Sequence, residues 1–137
     1  MAESIRAVDA NVVLRYLLDD VPDQAEKARG IVDSDDLVGL TAVALAEVAW
    51  TLTGPRYRFD RAIVVEHLVH LLARENIVTL GFDKSEAQAA LLTCLPDQAA
   101  ANVGDALIAA CARSAGVLEI YSFDARFARA GLAPIIP

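Results

Sequence analysis

Short apolar runs alternate with helical patterns along this chain, and that alternation limits the possible folds more than any other feature. The candidate strands are 4–8, 36–40, 76–80, 118–123 and 132–136. Apolar residues recur at helical spacing over 11–18, 23–34, 42–53, 60–75, 83–95 and 104–115. Strands that alternate with helices favour a parallel sheet with helices packed on it. The pattern therefore predicts an α/β fold.

Length and composition agree with a single domain of this kind. The chain has 137 residues, of which 55% are hydrophobic, enough to form one substantial core. No apolar run approaches the roughly 18 residues that a membrane-spanning helix needs. Glu3 and Arg6 interrupt the stretch where a signal peptide would be apolar. We therefore expect a cytoplasmic protein with no membrane association.

The charged residues narrow the possible ligands. A formal net charge of −7 argues against broad, non-specific nucleic-acid binding, although metal ions could neutralise the acids locally for a phosphate substrate. Six arginines are candidate phosphate contacts, or else solvated surface charges: Arg15, Arg56, Arg58, Arg61, Arg126 and Arg129. Tyr57 lies between two of them in the 54–59 loop, where it could stack on an unpaired base.

Four acids occupy positions that suggest one site. Asp9 and Asp124 each follow a predicted strand directly, and ligands of open α/β sheets lie beyond the carboxyl ends of the strands. Asp105 begins an apolar helix. Glu47 is the single charge within 42–53, a helix that we expect to be buried on all sides. A carboxylate buried there needs a partner, and its own helix supplies neither lysine nor arginine.

Each acid also has a simpler interpretation. Asp9 or Asn11 could cap the helix over 11–18, Asp105 could stabilise its helix dipole, and Asp124 could cap a short helix in ARFARA. We nevertheless predict that the four converge on one pocket, where a divalent cation would relieve their repulsion. Mg²⁺ fits best because it prefers oxygen ligands and shares substrate phosphates, with Mn²⁺ as an alternative.

Four segments carry a family resemblance: VDANVVLRYLLDD, LAEVAWTL, NVGDALIAACARSAG and YSFDARF. They resemble the PIN-domain family, in particular the VapC-like toxins of toxin–antitoxin operons. The resemblance covers nearly the whole chain, with the acids in the family's order and at similar spacing. Asn102 stands where relatives often have an acid, so the number of metal ions stays open.

The resemblance implies one PIN domain over 1–137, a three-layer sandwich with a parallel five-stranded sheet flanked by helices. It implies a Mg²⁺-dependent endoribonuclease that acts on RNA as the toxin of a toxin–antitoxin pair. A small antitoxin protein would restrain it, and the toxin would form a homodimer. The family's acidic positions correspond to Asp9, Glu47, Asp105 and Asp124, and its accessory polar positions to Asn11 and Ser122.

For the mechanism, we expect Asp9 and Asp105 to hold the magnesium ion, with Glu47 and Asp124 completing the pocket directly or through waters. Glu47 or Asp9 could orient or deprotonate the attacking water. Arg15, Arg56 and Arg58 are the predicted phosphate contacts.

A second function stays open, namely a binding module with little or no catalysis whose acidic pocket accepts an arginine from a protein partner. The presence of all four acids favours the enzyme. A phosphoacceptor receiver domain also places acids at strand ends, but this chain lacks the adjacent acid pair after the first strand.

Overall fold

A computed structural model describes residues 4–95 and 102–137, and its elements alternate as the sequence predicts. The helices are α1 (Ala10–Leu18), α2 (Pro22–Val32), α3 (Ala42–Thr53), α4 (Arg61–Leu72), α5 (Lys84–Leu92) and α6 (Val103–Ser114). The strands are β1 (Arg6–Ala7), β2 (Val38–Thr41), β3 (Ile77–Leu80), β4 (Glu119–Tyr121) and β5 (Ala133–Ile135). A 3₁₀ helix, Ala125–Ala128, connects the last two strands. Every predicted helix and strand is confirmed, with bounds that differ by a few residues.

The strands pair in parallel, as predicted, but they form two sheets. One sheet has the order β1-β2-β3, with Gly39 of β2 opposite Val78 of β3. The other is the pair β4-β5, with Ile120 opposite Pro134. The prediction of a single five-stranded sheet is therefore not met in this conformation. β1 has two residues and β4 has three, and these short strands do not join in a backbone ladder.

Helix α3 lies at the centre of the main core. It packs on β2 and on the helices α1, α4 and α6. Leu45 and Val48 of α3 are completely buried, together with Leu68 of α4. This packing on several sides explains why the sequence of α3 is apolar over most of its surface.

A smaller cluster attaches the carboxyl-terminal elements to the rest of the domain. Phe127, Ala130 and Leu132 pack against Ala109 of α6, apart from the main core. The β4-β5 pair and the 3₁₀ helix therefore depend on α6 for their position. We call β4, the 3₁₀ helix and β5 the carboxyl-terminal unit.

The helix ends follow local sequence signals. Pro22 starts α2, as expected for a residue that needs no helical N–H partner. Gly116 ends α6 with a φ of 78°, a conformation that favours glycine. There the N–H of Gly116 donates to the Arg113 carbonyl and that of Val117 donates to the Ala112 carbonyl, both at 2.9 Å. These two bonds form a Schellman motif.

Thr41 connects β2 to α3, and its replacement by alanine is expected to destabilise the domain by about 1 kcal/mol. Its Oγ1 accepts a hydrogen bond from the Ala44 N–H at 3.1 Å, which satisfies one free donor at the helix start. The free energy of unfolding in urea measures the loss. Thr41→Ser keeps the oxygen and should recover most of it; equal stability of the alanine variant and the wild type would contradict the capping role.

Within the two described ranges, no helix is long and apolar enough to cross a membrane. Glu3, which carries part of the argument against a signal peptide, lies outside the described residues.

Candidate active site

Asp9 stands between β1 and α1 and has a definite local role. Its Oδ1 accepts the Val12 N–H at 3.1 Å and caps the helix, while the residue as a whole is exposed. The capping interpretation of Asp9 is therefore confirmed. Because this bond uses one oxygen of the carboxylate, capping and ligand binding are compatible.

Glu47 is exposed, so the prediction that it is a buried acid in need of a partner is wrong. It lies on a face of α3 with Val43 and Trp50, which are 67% and 63% exposed. The three residues are spaced four and three apart, as neighbours on one side of a helix are. Two large apolar residues on the open face made α3 look buried on all sides.

Asp9 and Glu47 line the same cavity, of about 630 Å³. Thr41, at the end of β2, and Val43, at the start of α3, also line it. The carboxyl ends of β1 and β2 thus bring the two acids to one opening, as expected for a parallel sheet. We call this opening the acid cavity.

Asp105 lies in the first turn of α6, where Asn102 is the helix cap. The Asn102 Oδ1 accepts the Asp105 N–H at 2.8 Å, so this amide has a structural role. Burial raises the pKa of the Asp105 carboxyl, the charge of Asp124 raises it further, and the nearby Arg126 guanidinium lowers it. Asp105 and Asp124 are thus close enough for their charges to interact.

Asp124 follows β4 and caps the 3₁₀ helix. Its own N–H donates to Ser122 Oγ at 2.9 Å, and its Oδ1 accepts the Arg126 N–H at 2.9 Å. The Arg126 side chain binds the same carboxylate, with 2.6 Å between Nη2 and Oδ2. These side-chain and backbone hydrogen bonds lower the pKa of Asp124.

The four acids do not form one cluster in this conformation. Among residues 4–95 and 102–137, no three His, Cys, Asp or Glu side chains are close enough together to hold a metal ion. Asp9 and Glu47 share the acid cavity, whereas Asp105 and Asp124 form a second group. The physical reason is that Asp9 follows β1 and Asp124 follows β4, and these strands belong to different sheets.

A comparison of the sequence with models of protein families identifies the family of this chain. The sequence model of the PIN domain matches residues 6–132. The chain belongs to the PIN domain family. PIN domains are generally nucleases. Searches of curated proteins and of solved structures found no match.

The donor set of this PIN domain fits a hard divalent cation. All four acids offer oxygen ligands, which Mg²⁺ and Mn²⁺ accept. The second group, Asp105 and Asp124, fits best because two carboxylates repel each other there and a guanidinium already neutralises one of them. In the structure, the cation on this PIN domain's second acid group is the Arg126 guanidinium.

An apolar groove of about 740 Å³ adjoins the acid cavity, and sequence reasoning missed it. Trp50 of α3 and Ile108 of α6 line it, with Asp105 at one side. Val43 lines both the groove and the acid cavity, so the two openings are neighbours. The sequence signal for it was the placement of large apolar residues three and four positions from Glu47, the single charge of the helix.

The predicted contacts Asn11 and Arg15 lie on α1. They line a small cavity between α1 and α2 that shares Val12 and Ile31 with the acid cavity. Arg15 is 13% exposed and pairs with Asp20 at 2.8 Å, and its role as a phosphate contact stays a prediction. Ser122, by contrast, lies directly beside Asp124 through the hydrogen bond described above.

The arginine-rich loop forms its own packed group at the end of α3. The Tyr57 and Phe59 rings stack with centroids 6.3 Å apart, and the Arg56 guanidinium lies 5.1 Å from the Tyr57 centroid. Arg58 adopts a φ of 54° and donates from Nε to the Pro55 carbonyl at 3.2 Å. Gly54 lies about 10 Å along the helix from Glu47, so this loop lies beyond the acid cavity.

Proposed function

We propose that this PIN domain is a divalent-metal-dependent endoribonuclease that acts as the toxin of a toxin–antitoxin pair. The observation that carries the proposal is the second acid group, where the charges of Asp105 and Asp124 interact and a cation already lies on one of them. Such a pair gains most from a metal ion, because a bound cation removes the repulsion between its members.

In this proposal Asp105 and Asp124 hold Mg²⁺ or Mn²⁺, and Asp9 and Glu47 complete the site from the neighbouring acid cavity, directly or through water. When bound, the metal supplies a more acidic water and neutralises charge on the scissile phosphate. Glu47, exposed at the mouth of the acid cavity, orients or deprotonates the attacking water. Ser122 fixes the backbone of Asp124 through its hydroxyl.

The proposed substrate is RNA that is at least partly single-stranded. Aromatic rings and arginines of the 54–59 loop suit unpaired bases and phosphates, and Arg56 and Arg58 are both exposed. Asn11, exposed on the first turn of α1 beyond Asp9, is the proposed polar contact on the other side. With a net charge of −7, binding depends on these local groups and on the metal rather than on a general basic surface.

The toxin setting rests on the motif resemblance and on the apolar groove. Exposed Trp50, Val43 and Ile108 beside the acids suit a protein partner, since contiguous exposed apolar surface marks interaction sites. We propose that an antitoxin segment and a second copy of the chain share this region of the surface. Association with either would be measured by sedimentation or by copurification with the antitoxin.

Metal removal tests the enzyme proposal. The purified protein is incubated with a labelled, structured RNA and with a DNA of the same sequence, in Mg²⁺, in Mn²⁺ and in chelator. We expect RNA cleavage in either metal, none in chelator, and recovery after Mg²⁺ is added back. Cleavage that is undiminished by chelator would contradict the proposed chemistry.

A second candidate function has one observation in its favour. Asp124 already accepts an arginine in this chain, with both carboxylate oxygens engaged, so this carboxylate suits the arginine of a protein partner. The binding-module proposal predicts no cleavage in any metal and normal growth when the protein is expressed alone. The enzyme proposal predicts arrested growth and fragmented RNA.

A further inference from the structure

Arg126 binds Asp124 more completely than a helix cap requires. Its Nε lies 3.1 Å from Oδ1 and 3.0 Å from Oδ2, and its Nη2 lies 2.6 Å from Oδ2. The Arg126 N–H alone, which donates to Oδ1, would cap the 3₁₀ helix. The guanidinium therefore engages both oxygens of a carboxylate whose capping role is already filled.

The guanidinium also acts on the second acid of the group. Its charge favours the ionised form of Asp105, against burial and against the repulsion from Asp124, and Asp105 in turn acts on Arg126. The Arg126 guanidinium thus binds Asp124 directly and favours the charged form of Asp105 from nearby. A metal ion bound by the same two acids would compete with it.

We infer that Arg126 is a displaceable counter-cation: it holds Asp124 when no metal is bound, yields that carboxylate to a divalent ion, and then binds an RNA phosphate. The inference rests on the proposed nuclease function and deepens it. Arginine stays protonated in proteins, so the exchange is a competition between two cations and needs no proton transfer.

The exposure of the pair permits this exchange. The side chains of Arg126 and Asp124 are 47% and 33% exposed, and exposed ion pairs contribute little net stability. Once released, Arg126 stays near the metal because it lies two residues from Asp124. A guanidinium also binds phosphate oxygens with the same bidentate geometry that it uses for carboxylates.

The decisive measurement is the Kd for Mn²⁺, read from the electron paramagnetic resonance signal of free Mn²⁺ without RNA. We expect Arg126→Gln to bind Mn²⁺ roughly fivefold more tightly than the wild type, the factor that corresponds to a strong exposed ion pair. Arg29→Gln is the matched control, since Arg29 pairs with Asp19 at 2.7 Å at the far end of α1. The control should bind Mn²⁺ as the wild type does.

A second measurement tests the phosphate role. Steady-state cleavage by Arg126→Gln should show a KM for RNA that is severalfold higher, in spite of its tighter Mn²⁺ binding. Arg126→Lys keeps the charge but loses the bidentate fork, so its Kd for Mn²⁺ and its KM should lie between those of the other two proteins. If the glutamine variant does not fold, the lysine variant alone must still bind Mn²⁺ more tightly than the wild type.

The outcomes separate the inference from the proposed function. If the wild type binds Mn²⁺, Asp105→Asn loses it and Arg126→Gln binds it no more tightly than the wild type, the counter-cation role of Arg126 is refuted and the metal site stands. Weaker Mn²⁺ binding by Arg126→Gln would mean that Arg126 only supports the fold of the segment. If the wild type binds no Mn²⁺, the metal site itself is refuted.

Discussion

Asp105→Asn is expected to lower metal-dependent RNA cleavage by more than about a hundredfold. Loss of a group that merely supports a metal ligand already costs about 10–100-fold, and Asp105 is proposed as a ligand itself. The substitution keeps the shape of the side chain and the Asp105 N–H that donates to Asn102. Single-turnover cleavage in Mg²⁺ measures the loss.

The fold should survive this substitution. Burial and the charge of Asp124 both raise the pKa of Asp105, which means that the folded protein disfavours the ionised form. At neutral pH a neutral amide should therefore leave the unfolding temperature equal or higher. A lower unfolding temperature would show that the variant loses activity through its fold.

Asp83→Asn is the matched control for charge and position. Asp83 likewise stands at the start of a helix, as the N-cap of α5 without a side-chain capping hydrogen bond, and it is exposed. The Asp83→Asn variant should cleave RNA at the wild-type rate. Equal cleavage by wild type and Asp105→Asn would remove Asp105 from the proposed site, and an equal loss in both variants would make the effect non-specific.

The largest expected change in stability follows from Leu45→Ala, which should lower the free energy of unfolding by about 3 kcal/mol. Leu45 is completely buried in the helix that contacts β2 and three other helices. Removal of its isobutyl group leaves a cavity among neighbours that are themselves fixed on several sides, so little relaxation is possible. Denaturation by urea, with the same slope for both proteins, measures the difference.

Val43→Ala provides the comparison on the same helix. Val43 is 67% exposed, so the free energy of unfolding of the monomer should change by less than about 0.5 kcal/mol. A small effect of Leu45→Ala, or equal effects of the two substitutions, would contradict the packing described for α3.

The order and type of the elements could be predicted because their signals are local. The spacing of apolar residues identified α4 and α6, and Gly116 marked where α6 ends through a backbone conformation that glycine favours. Whether β1 and β4 pair could not be predicted in the same way, and the structure places them in different sheets. Their pairing depends on contacts between residues more than a hundred positions apart, and neither short strand carries a strong signal for its partner.

The site residues were likewise predicted where a local signal marks them and missed where their placement depends on the tertiary structure. Asp9 and Asp124 were found because each follows a strand, and the structure places both at helix starts as well. The exposure of Glu47 was missed because hydrophobicity indicates burial only on average: Trp50 and Val43 are large, apolar and exposed. The distances between the acids depend on how the two sheets are arranged relative to each other, and no local sequence pattern encodes that arrangement.

The attachment of the carboxyl-terminal unit has a mechanical consequence. Its apolar contacts with α6 come from a handful of side chains, so its opening free energy should be lower than that of the layer built around α3. Asp9 and Glu47 therefore belong to the more stable layer around α3, whereas Asp124 belongs to the less stable carboxyl-terminal unit. The distance between Asp124 and the acids of the acid cavity can therefore vary with the way the carboxyl-terminal unit packs on α6.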